Sequence, residues 1–550
     1  AYTAGGTAAR IFTLGTPYAE ADVRWIKFAQ SADVMSLTCV NQDTRTEYAP
    51  QDLERSSDTS WALLAIAAAP TIAAPTGAAA AASGTGDAYY AYEITAVNPS
   101  DGTESVASNI AAVSNAVNVA STAGTIFLEW TVQPGVNEYN IYKAQAVIST
   151  GGTLPVRAGA LYGFAGSAYG NQFSDSNIVP DFSQVPPLAR NPFARGAVIG
   201  GTVGAQGSTY TAIAFTIVTT TGSGAVLEGV LSGGKLVAVI VRNGGQNYAA
   251  TDTVTVSGDG SGAAISLTIG AQTGTYPGVV TYFQERRGYA YTLNNPDTYF
   301  FSQPGSFTNF DSRIPTIDSD AIVGSPWAVQ VNGIQWMIPT TGGLLVFTGL
   351  QSWLLVGTGG FATNVGALTP ASQVATPQPE IGCSPTLPPI KINYDVLFAD
   401  ANSSYYYDQP YQQYALSEPI DLTENSAHLF TGYTFREHAW CRQPFKIMWT
   451  VRRDGAMMSL TYHKAQQVAG WGRHDTQGLF RSCCNVQEPP VDALYLATQR
   501  FPPGKNAYMI ERMDNRLWQT VEDVWAVDCG LALAQPEPDA TLTVSSATGL

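Results

Sequence analysis

The sequence has little charge and no cluster of positive charge. Only 13% of its 550 residues are charged, with 27 Lys and Arg against 43 Asp and Glu, which gives a formal net charge of −16. Proteins that bind nucleic acid usually carry basic patches, because neutralised phosphates supply most of their affinity. The charge balance therefore argues against a nucleic-acid-binding surface, although an acidic wall could repel DNA that passes along it.

Long apolar runs and paired cysteines are missing as well. No apolar run reaches the roughly 18 residues of a membrane span, and no signal peptide is visible at residue 1. No CxxC pair occurs, so we expect reduced and mostly buried thiols rather than a disulfide scaffold. The six cysteines are Cys39, Cys383, Cys441, Cys483, Cys484 and Cys529.

The residues that usually carry catalysis occur without a recognisable motif. The four histidines, His428, His438, His463 and His474, have no metal-ligand spacing. There is no GxSxG elbow and no protease signature around a cysteine. Rare residues gather in the stretch 449–474, but this spacing favours local hydrogen bonds over a metal site.

Carboxylates could instead form a glycosidase pair. The available acids are Glu285, Asp318, Asp320 and Asp454, and none has a distinctive partner. The Asp-box SxDxGxxW of propeller sialidases is absent. The arginine pairs in QERRG (284–288) and TVRRDG (450–455) are more typical of salt bridges between neighbouring sheets than of phosphate binding.

The composition predicts an all-β fold. Gly (53), Pro (32) and Tyr (27) are abundant and 45% of residues are apolar, which is typical of many strands joined by tight turns. The length suggests about three or four structural units, although large β domains depart from that rule.

The segments near the two ends of the chain give three separate predictions. Residues 1–65 predict an N-terminal β unit, with a helical turn through Arg24 and two strands on either side of a Gln30–Asp33 turn. Residues 66–86 are rich in Ala, Gly and Pro, which predicts a linker. Residues 531–550 form a C-terminal segment whose abrupt end suggests truncation.

Residues 87–199 predict an inserted β-sandwich. Tyr90, Tyr92 and Ile94 alternate onto one face of a strand. The phrases YYAYEITAVNPSDGTESVASN, TIFLEWTV and EYNIYKA resemble the F–G hairpin and the B and C strands of a fibronectin type III domain. Because F–G precedes B–C here, two interpretations stay open: a permuted domain, or two half-sandwiches that pair.

Residues 200–275 predict a small Gly-rich β repeat domain. Two copies of one pattern are separated by 38 residues, and two such copies are expected to stack and share a core. No helix follows the GSG turns, so a phosphate loop is not favoured. Gly207, Tyr210, Gly222 and Gly224 recur as Gly245, Tyr248, Gly260 and Gly262.

Residues 276–530 predict the main β-propeller, because groups of about four short strands recur at even spacing. Five or six groups are visible, and residues 16–65 could add another. Asp454–Gly455 predicts a type I′ hairpin turn, and residues 465–474, which follow the second strand, are expected to be a connection. The predicted fold is therefore an all-β propeller assembled from residues near both ends of the chain, interrupted by the sandwich and the repeat domain.

Several phrases resemble one known family in the same order. They are PYAEADVRWIKFAQSADVMSLT (17–38), FSQPGSFTNFD…DSDAI (301–322), NGIQWMIPTTGGLLVFTGLQSWLLVG (332–357) and AHLFTGYTFREHAWCRQPFKIMWTVRRDGAMMSLTYHKAQQVAGWGRHDTQG (427–478). The family is the tail nozzle, or tail tubular protein, of podoviruses, the short-tailed bacteriophages. The resemblance covers residues 16–62 and 278–512.

The resemblance implies a structural virion protein rather than an enzyme. It implies a ring oligomer, expected to be a hexamer, around the DNA ejection channel. Expected partners are the tail adaptor, the tail fibres and a needle or plug protein, with genomic DNA passing through without sequence-specific binding. No catalytic, cofactor-binding or metal residues come with the family. The alternative is a tail-associated protein that binds or degrades carbohydrate, or a host adhesion protein, suggested by the aromatic residues of 299–311 and by the sandwich.

Overall fold

The structure is a computed structural model in which almost every regular element is a β-strand. It describes residues 10–145, 147–148, 161–210, 212–327, 333–358, 366–412, 415–416, 418–502, 504–514, 516–518 and 520. The expectation of an all-β chain is confirmed. In the described residues, no helix is long and apolar enough to cross a membrane. Two compact units are present: Ala1–Thr348 with Trp353–Pro377, and Gly349–Ser352 with Gln378–Leu550.

The first unit begins with a 3-10 helix, Glu20–Trp25, and a four-stranded antiparallel sheet, here called sheet 1. The predicted helical turn and the two strands around the Gln30–Asp33 turn are confirmed. Leu37, Cys39 and Val40 of the second strand are buried. The strands of sheet 1 are β1 (Ile26–Ser31), β2 (Val34–Asn41), β3 (Thr46–Ser57) and β4 (Ser60–Ala65).

A β-sandwich follows sheet 1. Its larger sheet has the order β7-β6-β9-β11, and its smaller sheet has the order β5-β8-β12. The alternation of Tyr90, Tyr92 and Ile94 is confirmed, since all three lie in one core with Trp130 and Tyr139. The strands are β5 (Ala79–Ala82), β6 (Thr85–Val97), β7 (Ala111–Ala116), β8 (Ile126–Glu129), β9 (Glu138–Ala144), β10 (Val147–Ile148, paired with β6), β11 (Tyr162–Ala168) and β12 (Gln172–Asp175).

The expectation that residues 66–86 form a linker without strands is wrong in its second half. The alanine run Ala79–Ala82 forms strand β5 and pairs with β8, and β6 already begins at Thr85. Alanine has low intrinsic strand preference, but that preference is weak against pairing and burial in a specific sheet. Ala78 and Ala88, on either side, are buried in the sandwich core.

The Gly-rich segment forms three antiparallel strand pairs, here called the repeat module. The pairs are β13–β18, β14–β17 and β15–β16, so every pair joins one strand of the first copy of the repeat to one strand of the second. Each tyrosine packs on a glycine of the other copy: a Cβ on Gly222 would lie 2.2 Å from Tyr248, and one on Gly260 would lie 2.5 Å from Tyr210. The strands are β13 (Val198–Ser208), β14 (Ile213–Val218), β15 (Ser223–Ser232), β16 (Lys235–Gln246), β17 (Thr253–Gly258) and β18 (Ser261–Ile269).

Two further four-stranded sheets follow the repeat module, each built from consecutive antiparallel strands. They share a core that includes Tyr299, Phe301, Leu344 and Val346. Sheet 2 contains β19 (Val279–Phe283), β20 (Arg286–Ala290), β21 (Tyr299–Phe301) and β22 (Ile322–Gly324); sheet 3 contains β23 (Ile334–Thr340), β24 (Gly343–Thr348), β25 (Ser352–Gly357) and β26 (Gln373–Pro377).

The second unit contains sheets 4, 5 and 6, again in chain order. Sheet 4 is β27 (Ile390–Ile392), β28 (Asp395–Ala399), β29 (Tyr406–Gln409) and β32 (Ile420–Asp421), with the small pair β30 (Tyr411–Gln412) and β31 (Ala415–Leu416) beside it. Sheet 5 is β33 (Phe435–Cys441), β34 (Ile447–Arg452), β35 (Met457–His463) and β36 (Val468–His474). Sheet 6 is β37 (Gly478–Glu488), β38 (Val491–Arg500) and β39 (Ala507–Arg512). Two 3-10 helices are Glu424–Leu429 and Lys464–Gln466.

The hairpin of sheet 5 is where it was predicted, but two details of the prediction are wrong. Gly455 has a positive φ of 93° whereas Asp454 does not, so the turn is not type I′, which requires both. Most of the expected connection through residue 474 is β36, which pairs along the whole of β35. Tertiary pairing creates this strand, because its own sequence, Val468–His474, has only weak apolar alternation. Cys529 and residues 531–550 lie outside the described residues.

Candidate functional site

The most buried histidine is part of a hydrogen-bonded core. His438 Nε2 lies 2.7 Å from the carbonyl oxygen of Pro388, which can only accept, so Nε2 carries the proton. Nδ1 is then the acceptor for the Tyr406 hydroxyl at 3.1 Å. Burial disfavours the charged ring and lowers the pKa of His438 to about 4. This histidine is a neutral structural residue.

The other three histidines are placed differently. His474 Nε2 lies 2.8 Å from the Ser459 hydroxyl across sheet 5. His463 ends β35, and His428 lies in the 3-10 helix before sheet 5. Over the described ranges no three His, Cys, Asp or Glu side chains are grouped so as to hold a metal ion. The expected local hydrogen bonds are present at His438 and His474.

The four acids considered for glycosidase chemistry have separate structural roles. Asp454 pairs with Arg452 of its own hairpin, and Glu285 occupies a left-handed turn position with φ of 59°. Asp318 offers its carbonyl oxygen to Arg286 at 2.8 Å. Asp320 is fully buried in an ion pair with an arginine. Asp320 and Asp454 each neutralise a buried arginine, and Asp318 contributes a backbone acceptor.

The arginines of QERRG tie sheet 2 to its surroundings. Arg286 is buried and donates to the carbonyl oxygens of Ser302 and Asp320. Arg287 pairs with Asp52 of sheet 1 at 3.0 Å. The prediction of a salt bridge between neighbouring sheets is thus confirmed for this arginine.

The aromatic residues of 299–311 and the cysteines are mostly interior. Tyr299, Phe300, Phe301 and Phe310 are buried in two hydrophobic clusters, so they are packing residues as expected. The five described cysteines are free thiols, and four of them are buried. Burial raises the pKa of the Cys441 thiol to about 12, which keeps it protonated and unreactive.

One buried junction connects the sandwich to sheet 2. Arg313, in the loop after β21, donates to Glu104 Oε2 at 2.6 Å and to Asp320 Oδ1 at 2.5 Å. Glu104 follows β6 of the sandwich and also accepts from Thr95 and Tyr142. We call this set of three charged residues, Glu104, Arg313 and Asp320, the first junction. One guanidinium holds two carboxylates here.

A second junction connects the sandwich to the repeat module. Arg242 of β16 donates to Glu93 Oε1 of the sandwich at 3.0 Å and to Glu228 Oε2 of β15 at 2.6 Å. Glu93 and Glu228 are buried. We call Glu93, Arg242 and Glu228 the second junction. It repeats the first junction's pattern of two carboxylates on one arginine.

A third contact fixes both ends of the repeat module. The Glu47 carboxylate on β3 accepts from Arg195, just before the module, and from the backbone N–H groups of Gly274 and Tyr276, just after it. Arg195 also lies over the Tyr276 ring at 3.8 Å. One side chain therefore holds the entrance and the exit of the module together against sheet 1.

The sequence did not reveal these junctions. Glu93 lies in the alternating strand AYYAYEITAV at a position opposite to the core-facing residues, which predicts a solvent-facing side chain. In the structure this second face is buried too, around Tyr89, Ala91 and Tyr142. The apolar residues beside Glu93 could have indicated that both faces of this strand are buried, since strands buried on both faces are apolar throughout. The arrangement binds segments of the chain together and offers no open catalytic pair.

Comparisons with known proteins give no relative. No family model matches the sequence, and no curated protein matches it. Among solved structures the chain is similar to an auxiliary nutrient binding protein from Bacteroides thetaiotaomicron, with 10% identity, a TM-score of 0.22, and coverage of 58% of this chain and 86% of that one. It is also similar to a structure of NanB with Optactamide, with 8% identity, a TM-score of 0.20, and coverage of 78% and 85%. Similarities this weak support no argument about function.

Proposed function

We propose that the protein is a structural subunit of a podovirus tail nozzle, which forms an oligomeric ring around the DNA ejection channel. The observation that carries the proposal is where the family phrases fall. Phrase 17–38 covers β1 and most of β2, phrase 301–322 runs from the last residue of β21 to the first residue of β22, phrase 332–357 covers β23 to β25, and phrase 427–478 covers sheet 5. The phrases thus fall on sheets 1, 3 and 5 and on the loop after β21, so they are spread along the chain.

We further propose that sheets 1 to 6 are the blades of one β-propeller. Each is a series of three or four antiparallel strands in chain order, the arrangement typical of propeller blades. In this reading sheet 1 supplies a blade from the N-terminal end, and the sandwich and repeat module are an insertion between two blades. Closure of the propeller is part of the proposal.

The strand order of the sandwich favours one permuted fibronectin type III domain over two half-sandwiches that pair. Strand β6 lies between β7 and β9, so the hairpin that resembles F–G adjoins the strand that resembles C in one sheet. Strand β8, which resembles B, pairs with β5 and β12 in the other sheet. This is the spatial order expected of one permuted domain, and it does not require two half-sandwiches.

The charge distribution suits a conduit for DNA. Residues 1–377 contain 14 basic and 24 acidic residues, and residues 378–550 contain 13 basic and 19 acidic residues. Both segments therefore carry an excess of negative charge, −10 in the first and −6 in the second. Screened repulsion acts over about 8–10 Å at physiological salt, so acidic side chains that line a channel would keep DNA from adhering.

Electron microscopy of assembled virions tests this function. A virion with an epitope tag in this protein should carry antibody label on the tail, and averaged images should show a cyclic ring, expected to be sixfold, with a channel wide enough for duplex DNA. The untagged virion is the matched control. A labelled protein that is monomeric in the tail, with a closed centre, would refute the proposal.

The alternative of a carbohydrate-active or adhesion protein has a separate test. Purified protein can be incubated with host surface polysaccharide and then assayed for cleavage and for retention. The nozzle proposal predicts neither. Cleavage that is lost when a single carboxylate is replaced would favour the enzyme instead.

A further inference from the structure

A cavity lies beside the repeat module, where the segment that enters the module approaches strand β16. It is lined by residues from 188–200, by residues from 239–245 and by Ile314, and its volume is about 440 Å³. Binding sites for small molecules usually have volumes of roughly 300–1,000 Å³. This space, which we call the module cavity, is therefore large enough for a small organic molecule.

Arg190 lines the module cavity with a guanidinium that keeps most of its donors free. Its Nη1 atom donates to the carbonyl oxygens of Ala189 at 3.2 Å and Val241 at 3.5 Å, which are long hydrogen bonds. Its Nε and Nη2 atoms donate to no residue that the structure describes. Because the N–H groups of arginine form a rigid fork that matches the two oxygens of a carboxylate, these free donors suit such a ligand.

Within the described part of the chain, Arg190 forms no ion pair. Burial lowers the pKa of Arg190, and the charge of Asp311 opposes this effect. The Asp311 carboxylate, however, accepts from the backbone N–H of Arg190 at 2.8 Å, and burial raises the pKa of Asp311 to about 7. Asp311 is therefore only partly ionised near neutral pH, and an anion in the cavity would stabilise the charged guanidinium.

Two asparagines in the wall offer further donors. Oδ1 of Asn191 accepts from the backbone N–H of Phe193 at 2.9 Å, and Oδ1 of Asn243 accepts from that of Gly245 at 2.9 Å. Because the oxygen of each amide already has a partner, the NH2 group is the end that remains. Neither NH2 group donates to a described residue. The polar side chains of the module cavity thus provide donors rather than acceptors.

The rest of the wall is mainly aliphatic. Ile199 and Ile314 are largely exposed, and Val239 and Val241 of β16 belong to the same wall. Among the described lining residues none is acidic and none is aromatic. A few polar groups fix the orientation of a ligand in such a site, while apolar walls hold its body. The wall therefore favours a molecule that joins one anionic group to an aliphatic body.

We propose that the module cavity binds a short aliphatic carboxylic acid in its ionised form. The carboxylate lies on Arg190, Asn191 and Asn243. The hydrocarbon lies on Ile199 and Ile314. One guanidinium matches one negative charge, which favours a carboxylate over the more highly charged phosphate. This site is independent of the proposed function.

Calorimetric titration of the full chain with isocaproate, a branched aliphatic carboxylate, tests the site. We expect saturable binding of one equivalent. Isocaproamide has the same shape without the charge and should bind at least about ten-fold more weakly, because charge-assisted hydrogen bonds are roughly twice as strong as neutral ones. Acetate should also bind at least about ten-fold more weakly, because it lacks the buried CH2 groups. Inorganic phosphate at the same concentration should not displace isocaproate.

Two variants change the donors and keep the shape of the wall. Asn191→Asp and Asn243→Asp retain the oxygen that accepts from Phe193 or Gly245, but each replaces the NH2 group with a second carboxylate oxygen. Because a like charge beside the ligand opposes binding, each should weaken isocaproate binding at least about ten-fold. Asn115→Asp, at an exposed position of β7, adds the same charge outside the cavity and should bind as the wild type does.

Arg190→Met removes the cation and should abolish binding. Urea unfolding of each variant separates a loss of binding from a loss of folding, and the comparison of isocaproate with isocaproamide on the wild type needs no variant. Equal affinity for these two ligands would overturn the proposal. So would wild-type affinity in both Asn191→Asp and Asn243→Asp, or displacement of isocaproate by phosphate.

Discussion

Replacing Arg313 with methionine should be among the most damaging single changes to the sandwich. Arg313 is buried, and it donates to Glu104, to Asp320 and to the carbonyl oxygen of Val185 at 3.0 Å. Methionine fills a similar volume but carries no charge and no donor. The substitution Arg313→Met therefore leaves Glu104 and Asp320 as buried carboxylates without their cation.

The size of the effect follows from that uncompensated charge. Removing one partner of a buried ion pair costs about 3–5 kcal/mol, far more than the net value of the intact pair. Since every 1.4 kcal/mol corresponds to a factor of ten, protection against hydrogen exchange should fall by roughly a hundred-fold to several thousand-fold. The amides of Ile94 and Ile141, in the sandwich core, are suitable reporters because core amides exchange through cooperative opening.

The matched control is an arginine that makes the same kind of pairs at the surface. Arg55 pairs with Asp33 and Asp58, whose side chains are 68% and 77% exposed. Because exposed pairs contribute about 0–1 kcal/mol, Arg55→Met should lower the protection of amides in β3 less than ten-fold. Comparable losses in the two variants would refute the reasoning.

A rescue experiment separates charge from packing. Adding Glu104→Gln and Asp320→Asn to Arg313→Met removes both uncompensated charges while keeping side chains of similar size. We expect the triple variant to recover much of the lost protection, because buried ion pairs replaced as a set are often nearly neutral in stability. No recovery would mean that the guanidinium acts mainly through its shape and its bond to Val185.

Three further predictions follow from single residues. Gly222→Ala should destabilise the repeat module by about 1–3 kcal/mol in urea unfolding, because the added Cβ would overlap the Tyr248 ring. The control Gly204→Ala should have little effect, because its Cβ would meet only one atom, at 3.7 Å. The folded state keeps His438 neutral, whereas the unfolded state takes up a proton at this residue near pH 6.5. The stability that the neutral His438 contributes is therefore lost as pH falls from about 6.5 to about 4. Unfolding midpoints measured between pH 7 and pH 4 should decline less in His438→Gln than in the wild type. Peptide mapping after brief treatment with a thiol reagent should find Cys484 modified, since it is exposed and the other described cysteines are buried; modification of a buried cysteine at the same rate would contradict the structure.

Much of the local structure was predictable from the sequence. The alternation around Tyr90, Tyr92 and Ile94 predicts one buried strand face, because successive side chains of a strand point to opposite sides. The spacing of 38 residues predicts two copies of one unit, and the paired tyrosines and glycines realise it. Low charge and abundant turn residues determine the all-β character before any contact is known.

Other features depended on distant parts of the chain. Strand β5 arises from an alanine run that pairs with β8 some 45 residues later, and β36 arises from a segment that pairs along β35. The Asp454–Gly455 turn follows a different backbone path, because only the glycine takes the positive φ there. Local pattern cannot supply such pairing, since strand preference is set largely by neighbours across the sheet.

The sequence alone determined where charge is scarce, where strands alternate and where the repeat lies, because these depend on residue type and spacing along the chain. Only the tertiary structure decided that Glu93 and Glu104 are interior and that Arg242 and Arg313 reach them. Those partners are 149 and 209 residues apart. A strand pattern tells which residues share a face, but what covers the second face is decided by which segments pack against it.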